Sequence, residues 1–491
     1  MQKRVGQVWV MLAMAGMYWL WLRNGWWGAG LTIINLVYLG LAWQRNKSKR
    51  NLIKFLYGSS ALLGLMMAIR SYGVLRAVTV MTIVGTNILI SAWQRKRKIK
   101  SNLLDVFATL IFSLMNTGKV LMKMSTKIIG QKKVRNEKKW VKILSGIAWS
   151  VPLVLVFLFF FSQADPIFNK LLTNIKWPKI DTRLVVDLCF AVLFGGMAVA
   201  MLGAKIKIAW ETKNMIEKIG GLDLAVMILQ GLFIIFSLVQ IRYFLVSGEE
   251  LKAMGINFSD YTRKGYGEML FCCFLAMGVM WMTGEMINFG KRKSLVKLYA
   301  GEICLFVATA TRRNYFYQAN NGFTRVRLWG FALSILIVAM VTVLLIKIIR
   351  EKREAFLAKA TVVLLVCFVL GLNLANIDKL IAGKPAKING EIDYIYLSGL
   401  SEDAWPIWEK MLVENETAVK NKNYDEKLAF LPNWFLEEKD KLERLAEKNW
   451  QNGGKWNLTR VEALKFLREN EGRIRENKGL TEELAKIKYG F

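Results

Sequence analysis

Histidine is absent from this 491-residue chain. That absence removes imidazole metal sites, His-based catalytic triads and the usual near-neutral proton shuttle. Cysteine is scarce. Cys189, Cys272, Cys273, Cys304 and Cys367 all fall in apolar stretches, without metal-ligand spacing, so they read as core thiols and not as a disulfide framework. Even the vicinal Cys272 and Cys273 would point about 100° apart on a helix, which argues against a redox pair. Proline is limited to 6 residues, so little interrupts long helices. Also missing are a Walker A loop, a G-x-S-x-G elbow and an HExxH-type motif. No catalytic residue, metal ligand or cofactor is expected.

What the chain does have is apolar length. Hydrophobic residues make up 54% of it, with 27 Phe, 22 Met and 18 Trp. Apolar runs of about 18 residues or more recur along most of its length, the signature of membrane-spanning helices. The expected fold is all-α: a polytopic transmembrane helix bundle of about eleven spans, an interfacial amphipathic helix and a small helical C-terminal domain. The spans are expected at 1–22, 26–43, 55–69, 77–93, 143–163, 184–204, 222–246, 268–289, 295–311, 328–349 and 360–377. A signal peptide is the alternative for the first, but its apolar run ends in Tyr18-Trp19-Leu20-Trp21 without a small-residue cleavage site.

Acidic charge is scarce wherever the chain is apolar. Residues 378–491 carry 20 basic and 21 acidic residues, whereas residues 1–377 carry 49 and 16. The net +32 therefore sits in the short loops of the membrane part, where it sets orientation and meets anionic headgroups. A nucleic-acid binder would concentrate charge on a soluble face, so nucleic acid is not an expected partner. With a cytoplasmic N-terminus, cytoplasmic segments collect about 34 Lys and Arg and outer loops about 15. An odd number of spans then places the C-terminal domain outside the cytoplasm, in a multi-pass protein of the inner cell membrane.

Four regions follow. Residues 1–100 hold two hairpins, each ending in the same tetrapeptide, Ala42-Trp43-Gln44-Arg45 and Ala92-Trp93-Gln94-Arg95. Duplication is favoured over convergence on a common interfacial pattern, and the two copies share one orientation, unlike an inverted repeat. Residues 101–142 comprise an amphipathic stretch and a lysine-rich connector. Asn102, Asp105, Thr109, Ser113, Asn116, Lys119, Lys123 and Lys127 recur at steps of three and four, the helical period, so a helix over 102–128 either lies on the membrane or packs against the spans. Residues 143–377 hold seven spans. Residues 378–491 form the soluble helical domain, with helices expected over 401–413, 433–450 and 459–470. A capping box is expected at Thr459-Arg460-Val461-Glu462.

Candidate functional residues are of two kinds. Asp187, Glu285 and Glu302 interrupt apolar runs, where a charge is costly and faces a partner or a cavity; structural pairing is favoured over a proton or ion pathway. Two outer segments interleave arginine with aromatics: Tyr261, Arg263, Lys264 and Tyr266 in one, and Arg312, Arg313, Tyr315, Arg325 and Arg327 in the other. They read as an interfacial belt or as a shared outer pocket, in which arginine forks would hold a carboxylate or phosphate of an anionic or lipid-linked ligand.

Ala164-Asp165-Pro166-Ile167-Phe168, Tyr261-Thr262-Arg263-Lys264-Gly265-Tyr266 and Asn321-Gly322-Phe323-Thr324-Arg325-Val326-Arg327 carry a family resemblance. Leu397-Ser398-Gly399-Leu400-Ser401-Glu402-Asp403-Ala404 and Trp456-Asn457-Leu458-Thr459-Arg460 extend it into the tail. In the order and placement of these motifs the chain resembles the bacterial polytopic membrane proteins of domain-of-unknown-function family 4173, related to family 4153. Tyr266 and Phe323 stand where that family commonly has Phe and Leu. The resemblance implies an integral membrane protein of unknown function and no catalytic residues. The function expected is an accessory, sensing or scaffolding role in the cell envelope, with the lipid bilayer, a membrane protein or a lipid-linked ligand as partner. The alternative is a transporter or flippase-like carrier of an anionic or lipid-linked ligand. Third is a membrane-embedded transferase, for which Asp165 with Asp181 or Asp260 is the candidate carboxylate set.

Overall fold

A computed structural model describes residues 28–45, 50–94, 222–245, 266–286, 289–388, 390–422, 426–447 and 456–489. Several expectations lie outside the described residues: the first span, the 102–128 helix and its connector, the spans at 143–163 and 184–204 with Asp187 and Cys189, and the segment holding Tyr261, Arg263 and Lys264.

The described residues are mostly helical. Apolar helices run over Ala29–Arg45 (α1), Asn51–Ile69 (α2), Gly73–Gln94 (α3), Leu222–Leu245 (α4), Tyr266–Met286 (α5), Phe289–Asn321 (α6), Arg325–Ile349 (α7) and Glu354–Ala375 (α8). No proline falls inside any of them, so the backbone ladder continues unbroken. Five are long and apolar enough to cross a membrane, at Asn51–Ile69, Gly73–Ile90, Lys293–Ala319, Arg325–Ile349 and Ala355–Ala375; α1, α4 and α5 contain shorter apolar stretches. The chain is thus a multi-pass membrane protein by length and composition.

The tail continues with α9 (Ile377–Gly383), a two-stranded antiparallel hairpin pairing Lys387–Ile388 with Glu391–Ile392, α10 (Tyr394–Ser398) and a 3-10 turn over Glu402–Ile407. After these come α11 (Trp408–Lys420), α12 (Glu426–Ala429), α13 (Leu431–Ala446), α14 (Leu458–Glu469) and α15 (Glu471–Tyr489). Proline marks the breaks, with Pro406 inside the 3-10 turn and Pro432 in the first turn of α13, where its missing N–H is not needed. Trp408 is buried at the centre, edge-on to Trp434 at 5.4 Å and close to Phe435 and Phe466. These aromatics pack against one another within the tail.

The cap of α14 differs from the expected box. The helix starts at Leu458 and its cap is Asn457, whose side chain accepts the Arg460 N–H at 3.4 Å. Thr459 lies within the first turn and bonds elsewhere, and Glu462 accepts the Trp405 indole N–H at 3.2 Å. The cap thus falls two residues before the threonine, whose hydroxyl is engaged by Asp403 and Ile69 instead.

The chain divides into two compact units. The first takes in α1–α3, residues 320–325, α8 from Val366 and the whole tail. Its membrane helices meet over Leu31, Leu63, Met67, Val80, Ile83 and Val369, and a polar knot ties α1, α2 and α3 together. Asn35 Nδ2 donates to Ser60 O (2.8 Å), Asn87 Nδ2 donates to Asn35 Oδ1 (2.8 Å), and the Ser60 hydroxyl lies 2.9 Å from Asn87 Oδ1. Gly64 permits this approach, since a Cβ there would meet Asn35 Nδ2 at 2.8 Å. Small residues and interhelical amides are the usual cohesion of helices in lipid.

The second unit takes in α4, α5, most of α6 and α7, and α8 up to Leu365. Its core includes Phe233, Phe236, Met269, Cys272, Cys273, Tyr299, Phe306 and Ile337. Cys272 and Cys273 are buried as expected of core thiols, whereas Cys304 and Cys367 are exposed on their helices, against that expectation. The α6 helix extends well past the span expected at 295–311, carrying Arg312, Arg313 and Tyr315 as its continuation. It stops at Asn321, before Gly322 with φ of +68°. A side chain at Gly322 would collide with the carbonyl of Pro385, so this turn requires glycine.

Candidate functional site

A dense polar constellation among the described residues of the first unit lies where tail residues meet the α2–α3 and α6–α7 turns. Asp378, in the first turn of α9, is fully buried. Its two oxygens accept a bidentate fork from Arg325, Nε at 2.8 Å and Nη2 at 2.6 Å. Ser401 adds its N–H at 2.9 Å and its hydroxyl at 2.5 Å. Arg325 also donates Nη1 to Gly399 O (3.1 Å) and its backbone N–H to the Tyr396 hydroxyl (2.7 Å), and its guanidinium lies 4.5 Å from the centre of the Tyr72 ring. Bidentate arginine–carboxylate geometry fixes orientation as well as distance.

A second buried carboxylate, Asp403, is held by uncharged donors. Its Oδ2 accepts the backbone N–H groups of Ser71 and Tyr72, each at 3.0 Å, and its own N–H donates to the Ser71 hydroxyl at 3.1 Å. The Thr459 hydroxyl lies 2.8 Å from Asp403 Oδ1 and also bonds to Ile69 O. Asn457 Nδ2 donates to Arg70 O (2.8 Å), and Trp456 O accepts the N–H of Ala29 (3.1 Å). Beside them Glu402 accepts Arg460 Nε at 3.2 Å. Burial pushes the Glu402 carboxyl up, but Arg460, its own backbone N–H, Lys441 and Ser71 outweigh it and hold the group below the usual glutamate range. Burial also lowers Arg70, against the opposing field of Asp403.

The second unit carries a sparser set. Glu302 is buried, and both of its oxygens face Gln230 Nε2, at 2.8 and 2.9 Å. Farther along the same helices Arg313, also buried, donates to Gln240 Oε1 at 3.1 Å. Gln230 and Gln240 are ten residues apart on α4, and Glu302 and Arg313 eleven apart on α6, in the same sense. The two helices therefore run parallel, with rungs about 15 Å apart along the axis.

Of the candidate residues, Arg325 enters the junction of the first unit. Arg312 stacks 5.0 Å from the Phe316 ring centre, and Tyr315 is largely exposed. Arg327 lies 3.5 Å from the Tyr317 ring centre, while its carbonyl accepts from Asn314. Tyr266 opens α5 and Glu285 lies near its end. Missed by the sequence reading were Asp378, Asp403, Ser401 and Thr459 as partners of Arg325 and of the Ser71-Tyr72 turn. The signal was available: three of the motifs that carry the family resemblance, 321–327, 397–404 and 456–460, contribute residues to this one junction. Among the described residues, no cluster of three or more acidic, cysteine or histidine side chains could hold a metal ion.

No curated protein and no solved structure matches the chain. Residues 57–411 match the family described as Domain of unknown function (DUF4153). The matched stretch takes in Tyr72, Arg325, Asp378, Ser401 and Asp403, and it is well over half of the chain. The chain belongs to this family.

Proposed function

We propose that this is a bacterial inner-membrane protein with a sensing or scaffolding role in the cell envelope, whose C-terminal domain is coupled to its membrane helices. The observation that carries this reading is the junction around Asp378 and Asp403. A tail merely tethered by a linker would need no bidentate arginine fork on a buried aspartate, and no aspartate capping the turn between two spans. The charge bias of the short loops supports a cytoplasmic N-terminus and an extracytoplasmic tail. The motifs at 321–327, 397–404 and 456–460 support the finer kinship with family 4173. Its partners are the anionic lipid surface and a membrane protein or lipid-linked ligand, met through the Arg- and Tyr-bearing outer segments.

The test is an envelope lipid and polymer profile of a deletion strain, complemented by variants of the full chain. Wild type is expected to restore the profile. Asp378→Ala is expected to insert into the membrane yet fail to restore it. Full restoration by that variant overturns the coupling. A carrier is the second reading, favoured by the buried polar rungs Glu302/Gln230 and Arg313/Gln240 between parallel helices. It requires water access along α6, read as thiol labelling of cysteines introduced beside Glu302.

A further inference from the structure

The Glu302/Gln230 rung holds an imbalance that points to its own chemistry. Glu302 is 5% exposed within the candidate span Lys293–Ala319, about 14 Å along the helix from Lys293. Among the described residues its oxygens receive one donor group, the amide nitrogen of Gln230. No lysine or arginine there forms an ion pair with it, and Tyr299, one turn earlier on α6, is an ionisable neighbour within its electrostatic reach. Around the rung stand Phe233, Tyr299 and Phe306, with Phe233 5.6 Å from Tyr299 and 5.9 Å from Phe306 between ring centres. A full negative charge held there by a single neutral amide would be expensive in lipid.

The amide itself supplies the second half of the observation. Gln230 is buried, and its carbonyl oxygen Oε1 accepts no hydrogen bond among the described residues. A carboxylate cannot satisfy that oxygen, because it has no proton to give. A carboxylic acid can: its O–H donates to Gln230 Oε1 while its C=O accepts Gln230 Nε2, closing a ring of two hydrogen bonds. Closing that ring requires the amide, whose terminal torsion is broad, to turn so that Nε2 faces one Glu302 oxygen and Oε1 the other, where Nε2 now faces both. One proton thus removes the buried charge and satisfies the orphaned oxygen together.

We propose that Glu302 is a proton-binding site in the membrane interior, held as a neutral carboxylic acid in a reciprocal pair with Gln230. The site takes a proton and no metal, since it presents one carboxyl and one amide. The proposal concerns the second unit alone and stands whether or not the tail couples to the spans.

The test is infrared difference spectroscopy on the purified full-length protein in lipid at neutral pH, wild type against Glu302→Gln. An amide at position 302 can form the same two-bond ring with Gln230, so this variant is expected to fold. The expected difference is loss of a protonated carboxylic acid C=O band that shifts in heavy water. Loss of the paired carboxylate stretches instead, or no difference in the acid band, overturns the proposal. A second variant, Gln230→Leu, keeps the test independent of the first. It is expected to move the Glu302 acid band toward the position of a free acid, and an unmoved band also overturns the pairing.

Discussion

The two units handle buried charge in opposite ways. In the first, Asp378 accepts four hydrogen bonds and faces an arginine fork, while Asp403 is surrounded by backbone N–H and hydroxyl donors. In the second, Glu302 meets one neutral amide whose carbonyl oxygen is left over. A fully satisfied network specifies one arrangement and resists change, whereas a group left without a partner is costly to bury, and a proton that supplies the partner removes that cost. The first region is built like a latch. The second is built like a site.

The sharpest way to break this contrast is Asp378→Ala. It strips the Arg325 fork of its acceptor and leaves the Ser401 N–H unpaired next to a half-buried cation. Removing one partner of a buried ion pair typically costs about 3–5 kcal/mol. The expected result is a large fall in thermal midpoint of the detergent-solubilised protein, with early proteolysis at the 384–400 segment. Replacing both partners together, Arg325→Met with Asp378→Leu, is expected to recover much of that loss. If the double variant is no better than the single, the pair is not acting as a unit.

A smaller effect is expected within the membrane part of the same unit. Asn35→Ala removes the hub of the Asn35/Ser60/Asn87 knot, taking the acceptor from Asn87 Nδ2 and the side-chain donor from the Ser60 carbonyl. Interhelical hydrogen bonds in lipid contribute about 0.6–2 kcal/mol, so the loss should be a fraction of that seen at Asp378. Measured side by side, the two variants compare a polar tie between spans with a charged tie between spans and tail. Equal losses would contradict the ranking.

How much of this was legible beforehand depends on the range of the interaction. The apolar helices could be read because apolar length is a local property, and α2, α3, α7 and α8 fall close to where hydropathy places them. The continuation of α6 through Arg312, Arg313 and Tyr315 was not read. Charge and aromatics look like the end of a span, yet the backbone has no breaker before Asn321 and Gly322. Arg325 was singled out for its chemistry, but its partner Asp378 lies 53 residues on, and no periodicity links them. Thr459 shows the same limit: the sequence marks it as a cap, and the fold uses it against Ile69 and Asp403. The β-hairpin at Lys387–Ile388 and Glu391–Ile392 rests on strands of two residues each, too short for any alternation to show.

The smallest expected effect sharpens the comparison by titration. Glu402 in the junction is held below the ordinary glutamate value of 4.5, because Arg460 and several hydrogen bonds outweigh the upward push of burial. A carboxyl whose folded value is depressed contributes stability that is fully present above its unfolded value and lost as pH falls through the folded value. Lowering the pH from about 6 to about 3.5 across that window should therefore reduce the thermal midpoint of wild type more than that of Glu402→Gln, which has no such proton to gain. The two curves should draw together toward the acid end, as wild-type Glu402 begins to take up a proton. Glu302→Gln should track wild type over the same range, since a side chain already neutral takes up nothing on acidification. A Glu302→Gln curve that flattens like that of Glu402→Gln would mean that both units bury ionised carboxylates, and the contrast between latch and site would be lost.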